Sequence, residues 1–251
     1  VGNLAKGASL ETIVDPVDIE SQLVDQLSKA LASFQGQSNI WVEPIISTRP
    51  IADNNANDKE YRVDLATILH GHDSIEFLAP PQFGLTSLGK GLALEAWKRG
   101  LGFWLCIDCI NSKSNSILKD IESSVAQFGL KSGDIAAFIL DSWSPAEKDH
   151  GRILTQIQKS FKEVRIILMH TLEESAYLTP LIANESTQKF SRFFLHSLTK
   201  NRVRQLVVRH IQIHGGGDED FVLNRVINEI EALNIHRTPE NCLTILKVAE
   251  I

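Results

Sequence analysis

The apolar positions of this chain come in short blocks that alternate between helical and extended periods. Val17, Leu23, Leu27, Ala30, Leu31 and Phe34 form one helical stripe, with Asp15 as N-cap, Pro16 in the first turn and Gly36 as the stop. Residues 1–14 ahead of it carry little pattern and read as a linker. Residues 40–46, IWVEPII, predict a strand, which Pro44 assigns to a sheet edge. The polar, Asn/Asp-rich run 50–59 predicts a loop, and 64–70 a short helix closed by Gly71. An apolar run over 75–79 is followed by a Pro/Gly loop over 80–84. A helix then starts near Thr86, with Leu88, Leu92, Ala93 and Trp97 at helical spacing and Gly100 at its end.

The same alternation continues to residue 198. Strands are expected over 103–107, ending in Asp108, over 135–140, ending in Asp141, over 164–169, ending in His170 and Thr171, and over 190–195. Helices are expected over 114–128 and 145–161. The run IAAFIL is wholly apolar, as in a strand covered on both faces. Strands alternating with helices indicate βαβ crossovers and a parallel sheet. From Thr199 the pattern is helical only. One helix is capped by Thr199, Gly215 to Gly217 break the chain, and two further helices cover 221–233 and 239–251. The expected organisation is an N-terminal linker and helix over 1–39, an α/β core over 40–198 and a small helical subdomain over 199–251.

Composition narrows the picture modestly. With 251 residues, 43% of them hydrophobic, the chain can bury a substantial core. A net charge of −6 and the lack of a strong basic patch argue against direct nucleic-acid binding. No apolar run reaches membrane-spanning length. The chain begins at Val1 without a signal peptide, which suggests a piece of a longer protein. Cys106, Cys109 and Cys242 are few and odd in number, as expected of a reducing, cytoplasmic setting. Cys106 and Cys109 form a C-x-x-C, but within a strand rather than at a helix N-terminus, and no second ligand pair accompanies them. His70 and His72 flank a turn and read as surface residues.

The chemistry-bearing stretch is 74–99. Strand, tight loop and helix form the layout of a phosphate-binding loop, in which amides and the positive helix end face an anion. Against the pattern G-x-x-x-x-G-K-[ST], the chain reads Ala79, Pro80, Pro81, Gln82, Phe83, Gly84, Leu85, Thr86. The second glycine and the hydroxyl are present, while the first glycine and the lysine are replaced. A second register, Gly84 to Lys90, fits G-x-x-x-x-G-K but continues with Gly91 and intrudes on the helix. A plain strand-to-helix turn that binds nothing has the same outline. Asp141 after AAFIL matches a Walker B strand end, whose carboxylate holds Mg²⁺. It equally suits the cap of the next helix. Ligands on such sheets lie at the carboxyl ends of the strands, where Gly84, Thr86, Asp108, Asp141 and His170 all fall.

The order APPQFGLTSLGKGLALEAW, LCIDC, AAFILDSW, VRIILMHT and FFLHSLTKNRVRQLV resembles the NTPase domain of the STAND class. These are signal-transducing relatives of AAA+ proteins found in bacterial immune and regulatory proteins. The VEP segment and the tail IHRTPENCLTILKVAEI fit the same group, so the resemblance spans about residues 40–251. It implies a P-loop NTPase-like α/β sheet flanked by helices, followed by a helical subdomain. Gly84, Leu85, Thr86 and Ser87 would be the cofactor-binding residues, Thr86 and Asp141 the metal ligands, and ATP or ADP with Mg²⁺ the cofactor. The departures fall on the chemistry: Leu85 for the lysine, Ala79 for the first glycine, Ser142 for a second acid, and His170-Thr171 for a polar sensor. The implied function is a degenerate nucleotide-binding and oligomerisation module of a larger signalling or defence protein, with hydrolysis lost. Its partners would be an effector domain on the same longer chain, for example a calcineurin-like phosphoesterase, further copies of itself and other proteins. Two alternatives stay open: an active ATPase using Lys90 as the substitute lysine, and a nucleotide-free interaction scaffold.

Overall fold

A computed structural model describes residues 16–32, 40–49, 61–171, 190–215 and 217–248. The expected cap at Asp15, the stop at Gly36, the loop 50–59 and the last residues of the final helix lie outside them. The elements are α1 (Pro16–Ala32), β1 (Ile45–Ser47), β2 (Arg62–Val63), α2 (Leu65–His70), β3 (Ile75–Ala79), α3 (Leu85–Lys98), β4 (Phe103–Asp108), α4 (Ile117–Gln127), β5 (Ile135–Asp141), α5 (Lys148–Ser160), β6 (Arg165–Thr171), β7 (Ser191–His196), α6 (Lys200–His214), α7 (Glu219–Ala232) and α8 (Pro239–Val248).

The seven-stranded sheet runs β2-β1-β7-β3-β6-β5-β4. Strands β7, β3, β6, β5 and β4 are parallel, whereas β1 pairs antiparallel with both β7 and β2. The sheet is therefore mostly parallel, with a short antiparallel margin. Strand β3 lies at its middle. The chain leaves β3 through α3 to the far edge at β4 and returns through β5 and β6 to β3's side. Parallel pairing puts the carboxyl ends of all five strands along one edge. The crevice beside β3, where the strand order reverses, is the place such sheets offer to a ligand.

Strands β3 and β5 are covered on both faces because their residues are nearly all apolar: every residue of IEFLA is buried, and all of IAAFILD except Ala136. Residues 40–44, expected as part of a strand, lie outside the sheet; only Ile45–Ser47 joins it. Pro44 has no N–H to donate, so the ladder starts after it.

The core is divided. One cluster joins the sheet with α1 to α5 around Phe77, Phe103, Phe138 and Ile139. A second joins Leu198 and the inner faces of α6, α7 and α8, and it also takes in Ile40 and Val42. Residues 40–44 thus pack on the helical unit although they precede the sheet in sequence. Two arginines of α6 hold that segment: Arg202 pairs with Glu43 at 2.8 Å, and the Arg209 guanidinium donates to the Trp41 carbonyl.

Candidate functional site

The loop between β3 and α3 is shaped by two left-handed residues, Gln82 at φ 68° and Gly84 at φ 87°. Gly84 is the N-cap of α3 and has no side chain to offer, so no side-chain bond satisfies the first amides of the helix. The start of that helix lines a cavity of about 450 Å³, where the helix dipole favours negative charge. Its lining comes mostly from three strand ends, residues 80–86 after β3, 141–144 at and after the end of β5, and 169–171 at the end of β6, joined by Ile110, Glu147 and His150. Gly84, Leu85 and Thr86 line this cavity, and so does Asp141. Ser87 is buried beside it and lines, together with Gly84, a second and narrower crevice.

The Thr86 hydroxyl lies near enough to the Asp141 carboxylate to favour its charged form. Burial pushes the Asp141 carboxyl above its ordinary 3.8; the bonds from Thr86 and the Ser142 amide and the charge of Lys90 oppose that rise. A hydroxyl and a carboxylate side by side are oxygen donors of the kind Mg²⁺ takes alongside nucleotide phosphates and water. Among the described residues no cluster of three or more His, Cys, Asp or Glu could hold a metal alone. The donor set fits a cation that arrives with its phosphates rather than a resident one.

The cavity's charge is unusual for an anion site. Among the described residues its ionisable lining is Asp141, Glu147, His150 and His170, with no Lys or Arg. Leu85 occupies the first helical position and packs partly against the core. Lys90 is directed elsewhere: its Nζ donates to Gln26 Oε1 of α1 at 3.4 Å. The second register is excluded as a loop, because residues 87–91 are helical. Its glycines serve close packing instead. A Cβ on Gly89 would stand 3.2 Å from Ile139 Cγ2 and Met169 Sδ, and one on Gly91 would stand 2.8 Å from the Trp41 ring.

The β5–α5 turn is fixed by bonds that the sequence did not reveal. Ser142 takes a left-handed φ of 53° and donates its amide to Asp141 Oδ1 at 2.9 Å. The Ser144 amide donates to His150 Nδ1 at 3.0 Å, which leaves the His150 proton on Nε2. Trp143 Nε1 donates to the His150 carbonyl, and the Trp143 ring stands edge-on to His170 at 5.5 Å. Beneath the cavity, His170 Nε2 bonds Glu76 Oε1 at 2.8 Å and Arg192 Nε donates to Glu76 Oε2 at 2.5 Å. Glu76 and His170 are each 1% exposed. The one signal for this link was a glutamate inside the otherwise apolar run 75–79. Burial would raise the Glu76 carboxyl, but His170 and Arg192 outweigh it and hold the carboxyl below 4.5.

The other residues singled out from sequence take structural roles. Asp108 is exposed and caps its own turn, accepting from the Ile110 amide at 3.0 Å and Asn111 Nδ2 at 2.7 Å. Cys106 donates its thiol to the Gly89 carbonyl, and burial pushes Cys106 to about 11 and Cys109 to about 12, so neither is a thiolate at neutral pH. His70 and His72 are exposed.

The narrow crevice lies on the other side of Gln82, Phe83 and Gly84, which line both spaces. Trp41 and Val42, Leu88 of α3, and Pro239, Glu240 and Leu243 of α8 close it. Phe83 also meets the His236 ring edge-on at 5.4 Å, where the loop touches the helical unit. Among the described residues no helix is long and apolar enough to cross a membrane.

A β3–loop–α3 unit with an uncapped helix end, set on this sheet order and faced by an acid closing β5, makes the chain a P-loop NTPase-like α/β domain with a helical appendage. No family model and no curated protein matches the chain. Among solved structures, a RuvB mutant from Thermotoga maritima overlaps with 13% identity and a TM-score of 0.41, covering 70% of this chain and 62% of that one. The ORC2 protein of Aeropyrum pernix, solved as ADPNP–ADP complexes, overlaps with 12% identity and a TM-score of 0.43, covering 73% of this chain and 64% of that one. Domain III of the Thermotoga maritima replication initiation protein DnaA overlaps with 13% identity and a TM-score of 0.41, covering 73% of this chain and 88% of the domain. The chain thus spans less than two thirds of the RuvB and ORC2 chains.

Proposed function

We propose that this chain is a nucleotide-binding regulatory domain of the degenerate STAND type, related to AAA+ proteins. It binds ATP or ADP with Mg²⁺ and does not turn it over at a useful rate. The observation that carries the reading is the uncapped start of α3 at Gly84, set over a cavity in which the Thr86 hydroxyl meets the Asp141 carboxylate. Phosphates would take the free amides of Leu85, Thr86 and Ser87, with Mg²⁺ held by Thr86 and Asp141. Mg²⁺ would neutralise charge where the lysine is missing. The base would enter the apolar crevice on the far side of Gln82–Gly84. Phosphoryl transfer depends almost wholly on positioned charge. A cavity whose described lining holds two carboxylates and no Lys or Arg therefore supports binding over catalysis. As a switch, the domain would act on an effector carried by the same longer chain, through self-association or other protein contacts.

Calorimetric titration with ATP and ADP tests this, in Mg²⁺ and again in chelator. Micromolar binding in Mg²⁺ is expected. Asp141→Asn should weaken it in Mg²⁺ and leave it equal or tighter in chelator, because without the cation the Asp141 charge only repels phosphate. An Asp141→Asn protein that binds equally well in both buffers would remove the metal-bridged reading. Turnover above background in the wild type, abolished by Lys90→Ala, would show an active ATPase with a substitute lysine instead.

A further inference from the structure

Two imidazoles line the large cavity, and they are held by opposite nitrogens. His170 bonds Glu76 through Nε2, and its Nδ1 is sealed from solvent. His150 is held at Nδ1 instead, which accepts the Ser144 amide at 3.0 Å. Nδ1 therefore carries no proton, and Nε2, on the other side of the ring, carries one. The surrounding turn keeps the ring in place. The Trp143 amide donates to the Met169 carbonyl at 3.0 Å, Trp143 Nε1 to the His150 carbonyl at 3.3 Å, and the Ala146 amide to Ser144 Oγ at 3.2 Å. Only 8% of His150 is exposed, yet it lines the cavity. No described residue takes its Nε2 proton. The cavity thus has an uncapped helix start on one wall and a fixed N–H donor on another, a pairing suited to an oxyanion even without Lys or Arg.

We propose that His150 is a phosphate-binding residue: from the β5–α5 wall, its Nε2 donates to a phosphoryl oxygen of the nucleotide. The inference rests on the nucleotide-binding reading above and adds to it a residue outside the β3–α3 loop. The Ser144 amide acts as the positioning group, because its bond to Nδ1 sets the tautomer that makes Nε2 a donor. A ring already fixed in place loses little freedom when a phosphate arrives.

Two substitutions separate the two nitrogens. Asn puts its amide oxygen near the place of Nδ1 and offers nothing at Nε2. Gln puts its amide nitrogen near the place of Nε2 and leaves the Ser144 amide without an acceptor. Wild type, His150→Asn and His150→Gln are titrated calorimetrically with ATP and with inorganic tripolyphosphate, both with Mg²⁺, and the melting temperature of each free protein is recorded. His150→Asn should melt close to wild type and bind both ligands about tenfold more weakly, the value of one hydrogen bond to a charged group. His150→Gln should melt lower, because a buried amide loses its partner, and should bind nearly as tightly as wild type. Weakening in His150→Gln that equals or exceeds that in His150→Asn overturns the inference, since affinity would then follow the turn. Unchanged binding by His150→Asn overturns it too. ¹⁵N NMR of the wild-type ring needs no variant: Nε2 should be the protonated nitrogen, and its resonance should shift as tripolyphosphate is added. A proton on Nδ1, or a ring unmoved at saturating tripolyphosphate, also overturns the inference. If the wild type binds ATP and only the His150 outcomes fail, the nucleotide-binding reading stands without His150. If it binds neither ligand, both fall.

Discussion

Leu85 stands where a phosphate-binding loop would place its lysine, and it is the residue on which the chemistry turns. It is the first residue of α3 and lines the cavity while packing partly against the core, so a longer cationic side chain there would extend past that contact into the same space. Leu85→Lys should tighten ATP·Mg²⁺ binding about tenfold, the worth of one charge-assisted bond of about 1.5 kcal/mol, while tripolyphosphate gains as much and adenosine gains nothing. Calorimetry on the three ligands checks this, and a gain for adenosine would place the phosphates elsewhere. At this scale the sequence was partly readable. Gly84, Thr86 and Asp141 were legible as strand-end or loop positions because each closes or follows a patterned element, and the fold places all three on one cavity. Glu76 could not be assigned a role, since it acts through partners about a hundred residues away, and nothing in the pattern marked His150, whose bond to the Ser144 amide closes a local turn.

Among the elements, β3 carries more than its five residues suggest. Glu76 ties it to β6 through His170 and to β7 through Arg192, cross-bracing three neighbouring strands below the cavity. The Glu76 carboxyl titrates below 4.5 in the folded chain, so the unfolded chain binds more protons in that range. The stabilisation is complete above 4.5 and is lost as pH falls through the lower folded value. Glu76→Gln should therefore cost about 2 kcal/mol at neutral pH and progressively less in acid. Urea unfolding of both proteins across the acid range would show this, and a cost independent of pH would mean that packing, not charge, accounts for Glu76. The helices and parallel strands were legible because their periods of apolar residues are local. The margin β2-β1-β7 was not. Its pairing joins residues of one segment to a strand near the end of the sheet domain, and nothing in IWVEPII states which neighbour it takes or in which direction. Pro44 argued for an edge, but β1 is paired on both sides, by β2 and by β7, and the proline is accommodated because the strand starts only after it.

On the scale of the whole molecule, two hydrophobic clusters share a boundary that runs along the β3–α3 loop, the crevice and residues 40–44. That segment belongs to both sides. Ile40 and Val42 sit in the helical cluster, while Trp41 lies against Gly91 of α3. The crevice has walls from each unit, α3 on one side and α8 on the other. A ligand lodged there is held by both and gives neither unit a reason to melt alone. Its effect should be visible as cooperativity: scanning calorimetry of the free protein should give a van't Hoff enthalpy below the calorimetric one, and saturating ATP·Mg²⁺ should bring the two together. A domain of this build would report its ligand less by changing shape than by changing how many pieces it melts in.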